Sequence, residues 1–456
     1  MAAPSRREFL AATAAASFAY AAPAASPKLT VSTFTEEVTP PIGHPCMGGG
    51  IAPVKEVIDP LFAHGFVLYG AADPIAVVAV DWCEIRNDAY DRWRDAVAEA
   101  VGTKRERVLV TALHQHDAPV ADLTAQKRLD DAKCQGAICD AEFHEKTVRR
   151  VAKAAKAAMG KAQRLSHVGT GQAKVENVAS NRRYVDESGR IRFDRTSATR
   201  DPKARAADGG LVDPYLKTLS LWDEGRPVLA VSAYAVHPMS FYGKGGVSAD
   251  FVGLARKLRQ AEEPKTHQVY VSGCSGNVTA GKYNDGSPDN RLALAKRVHE
   301  AMREAWKNTT RQPIDECSFR ATPLRLPVRS GKGFTEEELT KRLKEDPKPF
   351  GQCLAGLGLS WRKRATAGEP IDACAIDFGG PALMLLPAES YVEYQLMAQA
   401  ARPKGFVVTA GYGECGPGYI PTEKAWAEND SNLTDWCWVD PGCEELMKQA
   451  IAEVLK

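Results

Sequence analysis

The chain has almost no net charge. Its 456 residues carry 59 basic and 57 acidic side chains, leaving a formal charge of +2. That balance removes the broad electrostatic case for nucleic-acid or anionic-membrane binding, which needs a basic excess or a basic stripe. No apolar run is long enough to cross a bilayer, and the densest, such as 382–386, are strand-sized, so no transmembrane anchor is expected. Cys-x-x-Cys is absent, which argues against a thiolate zinc cluster or a thioredoxin-like redox centre. His-Glu-x-x-His is absent as well, excluding an ordinary zincin helix. Neither a low-complexity tract nor an internal repeat is evident, so one large domain is the simplest organisation.

What is present reads as a soluble globular protein: 44% hydrophobic and 25% charged residues exclude a disordered chain. Residues 1–25 form a charged start, a weakly apolar Ala-rich middle and small residues at Ala22-Pro23-Ala24. With Ser5-Arg6-Arg7-Glu8-Phe9-Leu10 they resemble a bacterial twin-arginine export signal, which implies a periplasmic or secreted protein. The eleven cysteines are odd in number, so at least one is unpaired. Cys134/Cys139 and Cys437/Cys443 are close enough to close small loops, and the others are read as small buried apolar residues.

Short β-branched runs alternate with longer helical patterns. This predicts an α/β domain over 26–456, with a central mixed, largely parallel sheet flanked by helices. The strand candidates are 75–80, 107–111, 228–236, 268–272, 382–386 and 406–409. Helix candidates include 88–101, 140–162, 250–263, 289–308 and 443–455. In 289–308, Leu292, Ala295, Val298, Met302 and Ala305 recur at helical spacing and predict one buried face. Thr335-x-x-Glu338 is a capping-box signal for a short helix. The polar stretch 177–214 is long for a structureless connection and is read as a functional loop, and 330–370 as a helical excursion.

The informative pattern is positional. Candidate strands run out into His114-Gln115-His116-Asp117, His237-Pro238, Gly273-Cys274-Ser275-Gly276-Asn277-Val278-Thr279, Pro387-Ala388-Glu389 and Gly411-Tyr412-Gly413-Glu414. Ligand sites in α/β proteins gather beyond the carboxyl ends of parallel strands. Two imidazoles with a carboxylate and an open position suit catalytic zinc, so His114, His237 and Glu389 are candidate ligands. In an extended segment His114 and His116 face the same way, making His116 either a further ligand or an acid/base group. Gly411-x-Gly413-x-x-Gly416 matches a dinucleotide fingerprint, but Pro417 and Pro421 follow where a helix should open. Gly273-x-Ser275-x lacks the final glycine of a nucleophile elbow.

These segments, in this order from about residue 30 to 430, resemble the neutral, non-lysosomal ceramidases. The similar stretches are Thr111–Pro119, Ala235–Ser240 with Ser248-x-Asp250, Gly276–Thr279, Pro387–Glu389 and Gly418–Thr422. The resemblance implies zinc held by His114, His237, Glu389 and Tyr419, an acid/base His116 and an Arg182 that orients the substrate carbonyl. Thr279 stands where the family has a serine nucleophile, and Asp117 where it has a second serine. Either Thr279 attacks, or zinc-activated water does while Thr279 positions. The length leaves no room for the C-terminal β-sandwich of ceramidases. The expected function is zinc-dependent hydrolysis of an N-acyl amide, on a small or lipid-like substrate. The alternatives are a zinc esterase acting on a non-ceramide substrate, and an inactive exported binding protein that keeps the fold.

Overall fold

Strands apolar along their whole length bury both faces and tend to pair in parallel. The computed structural model, which describes residues 29–70 and 72–456, contains three such pairs, each at one edge of a separate sheet. The export-signal reading of residues 1–25 lies outside the described residues.

In the first unit β1 (Thr30–Glu37), β2 (Phe62–Tyr69) and β3 (Ile75–Val80) run antiparallel. Helix α1 (Asn87–Val101) then crosses over, and β4 (Val108–Ala112) lies parallel to β3. Helix α1 buries Ala89, Trp93, Val97 and Val101 on one face and stops at Gly102, whose φ of 71° few side chains tolerate. Helix α2 (Ala141–Ala158) packs on the same sheet. The second unit repeats this order with β5 (His167–Lys174), β6 (Tyr215–Asp223), β7 (Arg226–Tyr234), crossover helix α3 (Asp250–Glu262) and β8 (His267–Ser272). Helix α4 (Pro288–Lys307) packs against α3. The third has β9 (Ser318–Leu324), an inserted helix α5 (Pro349–Thr366), β10 (Ile371–Asp377), β11 (Pro381–Leu385), crossover helix α6 (Val392–Ala401) and β12 (Phe406–Ala410). Helix α7 (Cys443–Val454) follows.

The architecture is therefore mixed α/β, but the expected single, largely parallel central sheet is replaced by three mixed sheets in which antiparallel pairs predominate. A repeat that the letters do not show is present in the topology: the same strand order and crossover occur three times.

The three sheets enclose one core. Ile75 and Val77 of β3, Leu229 and Val231 of β7, and Leu383 and Leu385 of β11 belong to a single cluster. Their alternating neighbours, such as Ala76, Val78, Ala382 and Met384, face a second cluster that includes Trp93, Val148 and Val298 from the helices. Period-two alternation thus divides each strand between two dry layers. Burying one such side chain stabilises the fold by roughly 1.5–3 kcal/mol.

The carboxyl ends of β4, β8 and β12 are tied into a ring. Ala112 N donates to Tyr412 O (3.0 Å), and Gly411 N donates to Ser272 O (2.8 Å). Thr111 Oγ1 donates to Gly411 O (2.7 Å), and Ser272 Oγ donates to Leu113 O (2.7 Å). All three units meet here, in buried surroundings.

Other expectations are refined. Stretch 177–214 is not structureless: it holds short strands at Ser180–Asn181, Tyr184–Val185 and Ile191–Arg192 and a helix at Pro202–Ala206. The excursion at 330–370 contains Glu336–Glu345, opened by the Thr335/Glu338 capping box, and then α5. Leu292 is exposed rather than buried, because the core face of α4 instead takes Leu294 and Ala301 beside Ala295, Val298, Met302 and Ala305. All eleven cysteines are free thiols, and all but Cys134 are buried.

Ser272→Ala leaves the Leu113 carbonyl without its donor at the junction of two units. The variant should lose about 1–3 kcal/mol in denaturant unfolding; wild-type stability would show that the ring bond contributes nothing.

Candidate metal centre

Each parallel pair delivers one side chain to a common point. His114 follows β4, His237 follows β7 and Glu389 follows β11. All three are 1–2% exposed. His114 Nε2 and His237 Nε2 lie 3.0 Å apart, and Glu389 Oε2 is 3.0 Å from the second and 3.2 Å from the first. Bonds of about 2.0–2.1 Å in a tetrahedral site place neighbouring donor atoms about 3.3 Å apart, so this triangle fits a single small divalent ion.

The tautomers support the same conclusion. His114 Nδ1 faces Cys83 O at 2.9 Å, and His237 Nδ1 faces Ser275 O at 2.5 Å. A carbonyl only accepts, so both Nδ1 atoms carry the proton and both neutral rings aim an Nε2 lone pair into the triangle. Burial, with the nearby Arg182 charge, pushes His237 down to about 4. For His114 burial opposes the charged form, but the Glu389 carboxylate outweighs it and raises the pKa. Glu389 is itself held well below the usual carboxylate range against the cost of burial, chiefly by His114. A divalent cation bound here would compete with protons for the same lone pairs.

Local backbone conformation sets these directions. His114 has φ 72°, so His114 and His116 do not lie on one extended face as expected. Their rings meet edge to face, with centroids 5.5 Å apart. Ala388, just before Glu389, has φ 53°. Non-glycine residues in this region cost on the order of 1–3 kcal/mol each and persist where the surroundings hold them.

The remaining candidates fall into two groups. Arg182 joins the centre: Nη1 donates to Tyr419 Oη (2.7 Å) and Nη2 lies 3.5 Å from His237 Nε2. Tyr419 pairs with Glu389 across a short parallel bridge, and its phenol pKa is raised, first by burial. His116 stands edge-on to the imidazoles of His114 and His237, with a buried Nδ1 that has no hydrogen-bond partner among the described residues. Burial and the two histidines keep it neutral, far below its ordinary pKa. Thr279 is next to the centre through its backbone, bridged to His237, but its hydroxyl is engaged elsewhere: Oγ1 donates to Thr196 O (2.7 Å) and accepts from Gly281 N (3.0 Å). Asp117 accepts from Gly243 N (3.0 Å), and burial raises it to about 6.

At this point the fold and the centre can be set beside known proteins. No protein-family model matches the chain, and no curated protein matches it by sequence. Solved structures do match in three dimensions, and two of them are ceramidases. A ceramidase complexed with C2 superposes with a TM-score of 0.70 at 17% identity, covering 94% of this chain and 75% of that one. The neutral ceramidase of Pseudomonas aeruginosa gives 0.67 at 16% identity, covering 94% and 74%. The chain has the neutral ceramidase fold. At this identity it is a divergent, ceramidase-like version of that fold.

Sequence reasoning missed two groups around this ceramidase-like centre. Glu84 is wholly buried, with Oε1 4.0 Å from His114 Nδ1, and it is ion-paired to Arg86 at 2.6 Å. Burial, with Arg86 opposing and Glu389 adding to the rise, brings Glu84 to about 7. With His114 and Glu389 it forms a second group of potential ligand atoms. Nothing in its short segment distinguishes it from a strand residue. Tyr412, inside the discarded glycine-rich match, stacks on His114 with centroids 4.2 Å apart and planes 19° from parallel.

Apo protein should take up one divalent ion per chain, releasing protons, with affinity falling as pH drops because protons compete for the imidazoles. His237→Ala should abolish that uptake in equilibrium dialysis while the circular dichroism of the fold persists. Unchanged stoichiometry in the variant would place the ion elsewhere.

Proposed function

We propose that the chain is an exported zinc-dependent amidohydrolase that cleaves an N-acyl bond. The observation that carries this reading is the triangle of two carbonyl-anchored imidazoles and one carboxylate, with a guanidinium and a free-base histidine beside it. His114, His237 and Glu389 would hold the ion, and Tyr419 is the proposed fourth ligand. When bound, zinc supplies Lewis acidity, polarising a carbonyl and acidifying water. The two solved structures named above are ceramidases, which favours an amide, including a lipid-like one, over an ester. The export part rests on the Arg6-Arg7 segment.

The protein's own groups divide the work. Arg182, held by Tyr419, orients the substrate carbonyl and opposes the negative charge that develops on its oxygen. His116, neutral with an unpartnered Nδ1, takes a proton from the nucleophile and passes it to the leaving amine. The Thr279 proton is already given to the Thr196 carbonyl, and this favours water as the nucleophile with Thr279 in a positioning role.

Zinc-loaded protein should hydrolyse members of a panel of N-acyl lipids and N-acyl amino acids, and lose that activity to a chelator. Failure on all amides with turnover of esters would replace the reading with an esterase. Thr279→Ala should retain a measurable rate. Complete loss, rescued by Thr279→Ser, would make the hydroxyl the attacking group.

A further inference from the structure

The ring at the strand ends contains a residue that no part of the proposed chemistry uses. Tyr412 follows β12 by two residues, as His114 follows β4 by two; the two residues occupy equivalent places in repeated units. Both have positive φ, 72° at His114 and 55° at Tyr412. Their rings lie face to face. One unit thus supplies a metal-binding imidazole at this place, and another supplies a buried phenol.

We propose that Tyr412 is a positioning residue that fixes all three ligand-bearing segments of the metal centre, an inference that rests on the zinc reading above. Its ring covers the flat face of His114, limiting rotation of that imidazole. Its Oη shares a hydrogen bond with Ser275 Oγ (2.6 Å), and Ser275 is the residue whose carbonyl orients His237. The same oxygen lies 3.4 Å from His237 Nδ1. Its backbone N donates to Ala388 O (3.1 Å), directly before Glu389, and its carbonyl accepts from Ala112 N (3.0 Å), two residues before His114. Tyr412 is 0% exposed, and burial alone would be satisfied by leucine. The phenol-to-serine bond is what leucine cannot reproduce.

The groups that orient metal ligands typically account for about 10–100-fold in metal affinity or activity. Zinc affinity is therefore measured by competition with a chromophoric chelator for wild type, Tyr412→Phe, Tyr412→Leu and Ser275→Ala. Tyr412→Phe keeps the stack and loses the hydroxyl; it and Ser275→Ala should weaken binding by a similar amount, several-fold or more, and Tyr412→Leu more strongly, by about 10–100-fold. The visible spectrum of the cobalt-substituted Tyr412→Phe protein should shift, reporting changed ligand geometry without reference to turnover. Because phenylalanine preserves packing, this variant keeps the test decisive if the leucine variant does not fold. Wild-type affinity and an unchanged cobalt spectrum in Tyr412→Phe would overturn the role of Tyr412 and leave the zinc reading intact. A wild-type chain that takes up no divalent ion would overturn the zinc reading itself. Uptake without amide hydrolysis would overturn only the proposed activity.

Discussion

Two imidazole lone pairs do not rest 3.0 Å apart in a dry interior without a positive charge to share. That single constraint organises the centre. Each ring gives its other nitrogen to a backbone carbonyl, so neither can turn its lone pair away. Glu389 supplies the negative charge that favours a cation, while burial, with the neighbouring Arg182, keeps the proton off His237. A set of donors so arranged has higher affinity for a divalent ion than three independent side chains would, because its orientation is already fixed by folding.

The fold provides that fixity through repetition. Loops after parallel strands usually vary, but here the strand ends of three units bond to one another before the loops begin. His114, His237 and Glu389 each follow the end of their own strand, β4, β7 and β11, by no more than four residues, so little chain separates each donor from a rigid support. The strained φ values at His114 and Ala388 are held by the same network. Glu84 and Arg86 form a buried ion pair behind His114, where Trp436 Nε1 also donates to Glu84 at 3.0 Å. Burial works against that carboxylate, and Arg86 and Trp436 each give one of its oxygens a partner.

How much of this was legible follows from which faces are wet. The six strand candidates correspond to β3, β4, β7, β8, β11 and β12, the members of the three parallel pairs. Those strands are buried on both sides and read as unbroken apolar runs. The antiparallel strands β1, β2, β5, β6, β9 and β10 went unread. β5, for instance, is His-Val-Gly-Thr-Gly-Gln-Ala-Lys, with alternating exposure and two glycines whose missing Cβ atoms make room for neighbours such as the Ala305 carbonyl. With half of each sheet invisible, the threefold order was invisible too, and one parallel sheet was the natural inference from the visible half.

The site was more legible than the sheets because chemistry is carried by rare letters. His114, His116, His237 and Glu389 follow runs that periodicity does identify, so their convergence needed only that those runs be neighbours. Glu84 and Tyr412 escape that reading for different reasons. Glu84 follows the apolar run of β3 by four residues, as Glu389 follows β11, but it lies in a two-residue strand of its own beside Arg86, where a carboxylate reads as an ordinary ion-pair partner. Tyr412 follows a readable strand, but nothing in the letters sets a phenol against an imidazole, and the glycines around it match only a fingerprint that Pro417 and Pro421 exclude. Gly411 is instead pressed by the Gly273 backbone, whose carbonyl oxygen would lie 3.2 Å from an added Cβ, and Gly413 meets the Leu386 carbonyl at 3.1 Å. These glycines allow three chain segments to come together around Tyr412. The motif that failed as a nucleotide fingerprint therefore has a physical use: close backbone approach at the junction of the repeated units, with an aromatic ring stacked on His114 and edge-on to His237.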